Sequence, residues 1–291
     1  DHRDLHSFPT RRSSDLEQWS CRWHSDWRNL VADPEVECIV AALPPALNGE
    51  VAAACANAGK PLLLEKPMAI SVAEADAIQA CFAQQGVALT IGQTLRYNRV
   101  IRMLRERVAD LGPLYSFTAN QRLEPTTLDW LDDPALAGAG VSFHSAVHVF
   151  DALRFITGRE IVRVTARVRC LHSARLEDHL VALVEMDNGA VGTVDCSKIG
   201  PARSGRFEFI GAKGQLHGDQ VHHFGEMISG VHRELLDPGE PVSTIVPLLR
   251  EWLEFLRGKQ ANPIPAAEGL AAVRVCEACL RSAAEGGWRE V

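Results

Sequence analysis

The sequence contains nothing that approaches the roughly 20 uninterrupted apolar residues of a membrane-spanning helix, and its opening stretch lacks the apolar core of a secretory signal peptide. No membrane partner is therefore expected, and a cytoplasmic location is. Basic residues are also in deficit, with 30 Lys and Arg against 37 Asp and Glu and a formal net charge of -7. A nucleic-acid surface needs clustered excess Lys and Arg, so nucleic acid is not an expected partner either. The eight cysteines follow no regular spacing, which reads as reduced, buried thiols and not as a disulfide framework. Cys276 and Cys279 form a CxxC, but inside a long amphipathic pattern with no second ligand pair. A closed zinc site needs four ligands, so no metal is expected. Internal repeats and low-complexity linkers are absent too.

What is present is an ordinary globular composition, 46% hydrophobic and 23% charged, in 291 residues. That length buries a sizeable core and allows two domains. VECIVAAL, from Val36, is a near-continuous apolar run ending at Pro44-Pro45, the mark of a strand buried on both faces. LNGEVAAACANAG places Leu47, Val51, Ala54 and Ala58 on one helical face, with Gly59 to end it. A second strand at Leu62 to Leu64 stops at Glu65-Lys66-Pro67. Ser71 and Glu74 form a capping box for a helix with Val72, Ala75, Ile78 and Phe82 inward, closed by Gly86. VALTIG, 87–92, makes the third strand. This alternation predicts half of a doubly wound, dinucleotide-binding unit.

After a helix around 98–109, Gly112-Pro113 marks a change of grammar. LYSFTANQRL reads as a strand and 142–157 as a helix. The strands IVRVTARVRCL, HLVALVEM, AVGTVDCSK and RFEFIG then follow without helices between them, two of them joined by the turn signal Asp187-Asn188-Gly189. Strands in series predict an open, largely antiparallel sheet in an α+β unit. Helices at about 246–257 and 266–285 complete the chain. His217, His222 and His223 fall in a stretch that reads as solvated loop.

Several segments together resemble one family. LLLEKPMAISVAEADAI after ALPPALNGEVAAACANAGK, then IGQTLRYN, GAGVSFHSAVHVFDALRFITG, EDHLVALVEMDNGAVGTV and FEFIGAKGQL occur in the order and at the spacing of the Gfo/Idh/MocA oxidoreductases. The resemblance implies an α/β fold: an incomplete doubly wound Rossmann domain followed by an α+β domain with an open, largely antiparallel sheet. Members of the family begin with a strand, a GxGxxG turn, a helix and a second strand, and none of these is seen here. The first family segment, Trp27 to Val36, normally sits some way into the chain. The first sixteen residues, DHRDLHSFPTRRSSDL, match the translation of a sequencing adapter in a single frame. The expectation is thus a non-native segment at 1–16, a truncated dinucleotide-binding domain at 17–118, and an α+β substrate and oligomerisation domain at 119–291.

The resemblance also implies the chemistry. Ligands bind beyond the carboxyl ends of the strands of an open α/β sheet, and Pro44, Glu65, Lys66, Pro67 and Gln93 stand at such ends. Lys66 is expected to contact the nicotinamide ribose and to polarise the reacting oxygen, often beside a cis proline peptide. His148 matches the catalytic histidine, an imidazole able to take the hydroxyl proton. His144, four residues earlier and so on the same helical face, stands where inositol dehydrogenase-like members carry Asp; a histidine there can still bind a substrate oxygen or carboxylate. A metalloprotease helix would need Glu after the first histidine, and Ser145 is there. Asn48 and Arg96 are further candidates for the cofactor, and Tyr97, Trp130 and Asp151 for the substrate. For Asp151 and Arg154 a salt-bridging role that orients the helix is an equal reading.

The expected activity is NAD- or NADP-dependent hydride transfer to or from a sugar, polyol or related hydroxy compound, with cofactor binding impaired if the glycine turn is lacking. The alternatives are a glycosidase or epimerase using the cofactor without net redox, and a non-catalytic sugar-binding or regulatory member. The open sheet is expected to serve as the interface of a homo-oligomer.

Overall fold

The computed structural model describes residues 22–126 and 128–291; the adapter-like segment lies outside them. Among these residues a three-stranded parallel sheet comes first, in the order β1 (Ile39–Ala41), β2 (Leu62–Glu65), β3 (Leu89–Gly92). Its strands are short and almost wholly buried, which is why they read as continuous apolar runs. Helix α1 (Trp27–Ala32) opens on Asp26, whose carboxylate accepts from Arg28 N–H. Helices α2 (Asn48–Asn57) and α3 (Val72–Gln85) make the two crossovers and pack on each other. The capping box forms by half: Ser71 Oγ accepts from Glu74 N–H at 3.2 Å, while the Glu74 carboxylate reaches Ile70 N–H at 3.0 Å. Gly86 ends α3 in the left-handed conformation, φ 63°, that a side chain resists.

The edge of β3 is covered by an antiparallel return. Ile91 N–H donates to Ile264 O, and Asn262 holds both Leu89 O and the Thr90 hydroxyl.

Helix α4 (Arg99–Arg107) is capped by Asn98 and leads to a nine-stranded sheet. Its strands are β4 (Leu114–Arg122), β5 (Ile161–Arg169), β6 (His179–Met186), β7 (Val191–Ser197), β8 (Arg206–Gly211), β9 (Gly214–Asp219), β10 (Phe224–Ser229), β11 (His232–Leu235) and β12 (Arg289–Glu290). The order is β11-β10-β9-β8-β4-β7-β6-β5-β12, antiparallel at every pairing except β4 with β7. Of the three histidines expected on a solvated stretch, His222 and His223 do lie in the turn between β9 and β10, His222 exposed and bonded to Asp219, whereas His217 lies within β9, between Gln215 and Glu226.

Helices α5 (Val147–Thr157), α6 (Ile245–Leu256) and α7 (Ala266–Glu285) follow in chain order. Helices α4, α5 and α7 cover one face of the large sheet. Helix α7 also meets α3 and β3, where Gly269 leaves room for Ile91 and Met68; a Cβ there would stand 2.9 Å from Ile91 Cγ1. One helix thus joins both sheets through a common core. The opposite face of the large sheet stays open and carries exposed Val181, Leu183 and Ile210. No described helix is long and apolar enough to cross a membrane.

Candidate active site

Three strand ends deliver the first part of the site. Asn48 opens α2 just beyond β1, Lys66 follows β2, and Gln93 follows β3. Gly92 lets Glu65 lie close, since a Cβ there would stand 3.2 Å from Glu65 Cα. The Lys66–Pro67 peptide is cis, and Asn48 Nδ2 pins that turn by donating to Pro67 O at 2.9 Å. Asn48 Oδ1 and both polar atoms of the Gln93 side chain are buried without a partner.

The second part comes from the glycine-rich turn before α5. Gly138 has φ 74°, and Gly140 passes so near Glu177 that a Cβ would fall 1.9 Å from its carbonyl oxygen. Val141 N–H donates to Glu177 O at 2.7 Å and Ser142 N–H to Glu177 Oε1 at 3.0 Å. From Ser142 to Ala146 the chain forms a π-turn, not the regular helix expected, and α5 starts only at Val147. Such turns re-aim side chains and cluster at functional sites. His144 sits inside the π-turn and His148 one residue into α5, so their shared face spans a junction between two helix types.

The two parts meet where Lys66 Nζ donates to His144 O at 3.0 Å. An ammonium has three protons, so two remain for other acceptors. Burial lowers Lys66 from its ordinary value to about 8; Glu65 resists this and Lys198 adds to it. Burial, followed by the charges of Lys66 and Lys198, lowers His144 to about 3. Burial, with Lys66 and His144, holds His148 well below 6.5. Both imidazoles are therefore neutral at pH 7. His148 Nδ1 is sealed and unbonded, while Nε2 is not sealed and has no partner among the described residues.

Lys198, directly after β7, was invisible as a site residue in the sequence, where it is one more strand-ending lysine. Its residue is 3% exposed, and its charge acts on both Lys66 and His144.

Other candidates are placed elsewhere. Arg96 clamps Asp151 through two bonds, Nε at 2.8 Å and Nη2 at 2.6 Å, and shares Nη2 with Glu268. Arg154 bridges Glu268 and Glu160. This buried network ties α5 to α7, the orienting reading of Asp151. The Tyr97 hydroxyl donates to Glu251 at 2.6 Å. Arg96 and Tyr97 line a cavity of about 440 Å³ whose walls include none of Lys66, His144 and His148. Of the two readings open for Arg96 and Tyr97, a cleft-lining role and a structural one, the bonds to acids far along the chain favour the structural one. Trp130 lies half-buried in a short turn, with no ring contact among the described residues. Pro44 opens the turn that leads into α2. Cys276 and Cys279 are buried on α7, and burial pushes both thiols up. Among the described residues no three His, Cys, Asp or Glu converge as a metal would need.

Comparison with known proteins gives the same frame. Residues 7–93 match the model described as oxidoreductase family, NAD-binding Rossmann fold, and residues 101–217 the GFO/IDH/MocA C-terminal domain. The scyllo-inositol 2-dehydrogenase (NAD(+)) of Bacillus subtilis (strain 168) is 25% identical over 69% of this chain and 60% of its own length. The levoglucosan dehydrogenase of Pseudarthrobacter phenanthrenivorans is 25% identical over 66% and 57%. The chain thus spans about three-fifths of these two curated relatives. The crystal structure of GenD2 from gentamicin A biosynthesis, in complex with NAD, superposes with a TM-score of 0.86 at 27% identity, covering 97% of this chain and 86% of that one.

Proposed function

The chain belongs to the Gfo/Idh/MocA oxidoreductase family, and on that premise we propose that it is an NAD(P)-dependent dehydrogenase. Hydride would pass between the nicotinamide and a carbinol carbon of a sugar, polyol or related hydroxy compound. One observation carries the reading. Lys66 Nζ bonds His144 O, four residues before His148, at the carboxyl edge of the parallel sheet, with two ammonium protons and an imidazole nitrogen left uncommitted.

The residues present fit a nicotinamide. Asn48 Oδ1 and the whole Gln93 amide are polar groups buried without partners beside the strand ends, the sites where a carboxamide or ribose would supply the missing bonds. Bound there, the nicotinamide supplies the acceptor or donor of hydride. Lys66 donates to the substrate oxygen and stabilises the charge that builds on it. His148, neutral and open at Nε2, takes the hydroxyl proton. His144, through its carbonyl, fixes the direction of the Lys66 ammonium. Asn48 positions the Glu65-Lys66-Pro67 turn and Arg96 with Asp151 positions α5. We further propose that residues 17–118 form the cofactor-binding part and 119–291 the substrate and assembly part. A second copy would pair through the open face of Val181, Leu183 and Ile210, since exposed apolar patches of this kind mark interfaces.

The test is isotopic. Hydroxy compounds deuterated at the carbinol carbon should yield reduced nicotinamide carrying one deuteron. Deuterium retained in the product without net reduced cofactor would point to a glycosidase or epimerase cycle instead.

A further inference from the structure

The cluster holds one more cation than hydride transfer uses. Lys198 makes no hydrogen bond or ion pair through Nζ among the described residues, and that atom is not among the sealed, unbonded ones. The side chain is thus buried while its ammonium still reaches open space. Its position is set by a run of hydrogen bonds. Lys198 N–H donates to Asp178 O at 2.8 Å, Glu177 accepts from Ser142 N–H, and His144 O accepts from Lys66 Nζ.

Nearby acids do not neutralise it by contact. The Asp178 carboxylate is taken by the N–H groups of Leu171, His172 and Ser173. Asp132 is taken by those of Ala174, Arg175 and Leu176, and Glu177 accepts from Ser142 N–H through Oε1; the three carboxylates act on Lys198 by charge, Glu177 most, without touching its ammonium. The Lys66 and Lys198 ammonium groups and the neutral His144 and His148 imidazoles act on one another in a single cluster, with Glu65 beside Lys66. A neutral polyol leaves Lys198 unpaired in a desolvated place, which is unfavourable. An anion pairs it through a charge-assisted bond.

We propose that Lys198 binds the carboxylate of an anionic hydroxy substrate, of the aldonate or uronate class, and so sets the specificity of the site. This rests on the dehydrogenase reading for turnover, but not for binding.

The experiment is calorimetric binding, without cofactor, of acid and neutral pairs to the full chain: gluconate with sorbitol, glucuronate with glucose, galacturonate with galactose, and glucose 6-phosphate alongside. Wild type should bind at least one acid about tenfold or more tightly than its neutral partner, and added salt should weaken that preference. In Lys198→Gln, with its fold checked by circular dichroism, the ratio should fall to about one; Lys198→Arg should keep most of it. With cofactor, the loss should appear in KM more than in kcat. No acid preference in wild type, a preference that survives Lys198→Gln, or tighter binding of the phosphate than of any carboxylate would overturn the assignment. The wild-type ratio needs no variant, so a misfolded Lys198→Gln leaves the test intact. Acid-selective binding that depends on Lys198 but comes with no turnover would uphold the assignment and sink the dehydrogenase reading alone.

Discussion

Lys66 shows what desolvation does to a functional group. With its value brought down to about 8, it loses its proton as pH rises through that point, whereas an unperturbed lysine would hold it to about 10.4. His148 lies well below 6.5 and so stays an acceptor down to mildly acidic pH. The kcat/KM profile, which reports the free enzyme, should therefore be flat from about pH 6.5 to 7.5 and fall above about 8. Lys66→Arg should move that alkaline limb upward, out of the accessible range, at a lower overall rate. His148→Asn should lower kcat by about 10²-fold or more with little change in substrate affinity, as loss of a general base does.

The residues themselves were unevenly legible. Lys66 and His148 stood out because their neighbours in sequence carry the family pattern. Arg96 and Tyr97 looked equally placed along the chain, but their partners Glu268 and Glu251 come from α7 and α6, more than 100 residues away, and Asp151 is itself held by Arg96. Lys198 carried no local signal at all: only the pairing of β7 with β4 and the Asp178 carbonyl bring it to the site.

At the scale of elements, the turn before α5 is fixed by close backbone approach. Gly140→Ala would drive a Cβ into Glu177 O and should destabilise the chain by about 1–3 kcal/mol or more, as overpacking does, measured by denaturant unfolding. The ion network beneath α5 makes a sharper case. Arg96→Met leaves Asp151, fully buried, without its main counter-charge and should cost about 3–5 kcal/mol in the same assay. The parallel strands and most helices were readable because burial on both faces, or on one stripe, writes itself into apolar spacing. The hairpins β9 to β11 were not. Gly218 and Gly225 interrupt their pattern, yet both exist for packing: a Cβ at Gly218 would meet Val100 at 2.8 Å, and Gly225 lies against Met103. The π-turn at 142–146 was equally unreadable, since one such turn inserted in a helix is too short to leave its own apolar spacing in the sequence.

At the scale of the molecule, two sheets share one core through α7, and the large sheet is left open on one face. Val181 stands opposite Asp195 in the β6–β7 ladder, so Val181→Asp places like charges together on the proposed interface. Sedimentation should show an oligomer for the wild type and a monomer for Val181→Asp, with the protomer itself destabilised by no more than about 1 kcal/mol through the like-charge pair. A wild-type monomer would remove the open face as an assembly surface.

The central claim is that Lys66 and His148 carry hydride chemistry with a bound nicotinamide. It is tested most directly by reduction of NAD or NADP with a panel of sugars, polyols and sugar acids, for wild type, Lys66→Ala and His148→Ala. The account predicts substrate-dependent reduced cofactor in wild type, a loss of about 10²–10³-fold in kcat for Lys66→Ala and about 10²-fold or more for His148→Ala. Turnover that survives both substitutions would contradict it, as would a folded wild-type chain that reduces no cofactor with any member of the panel.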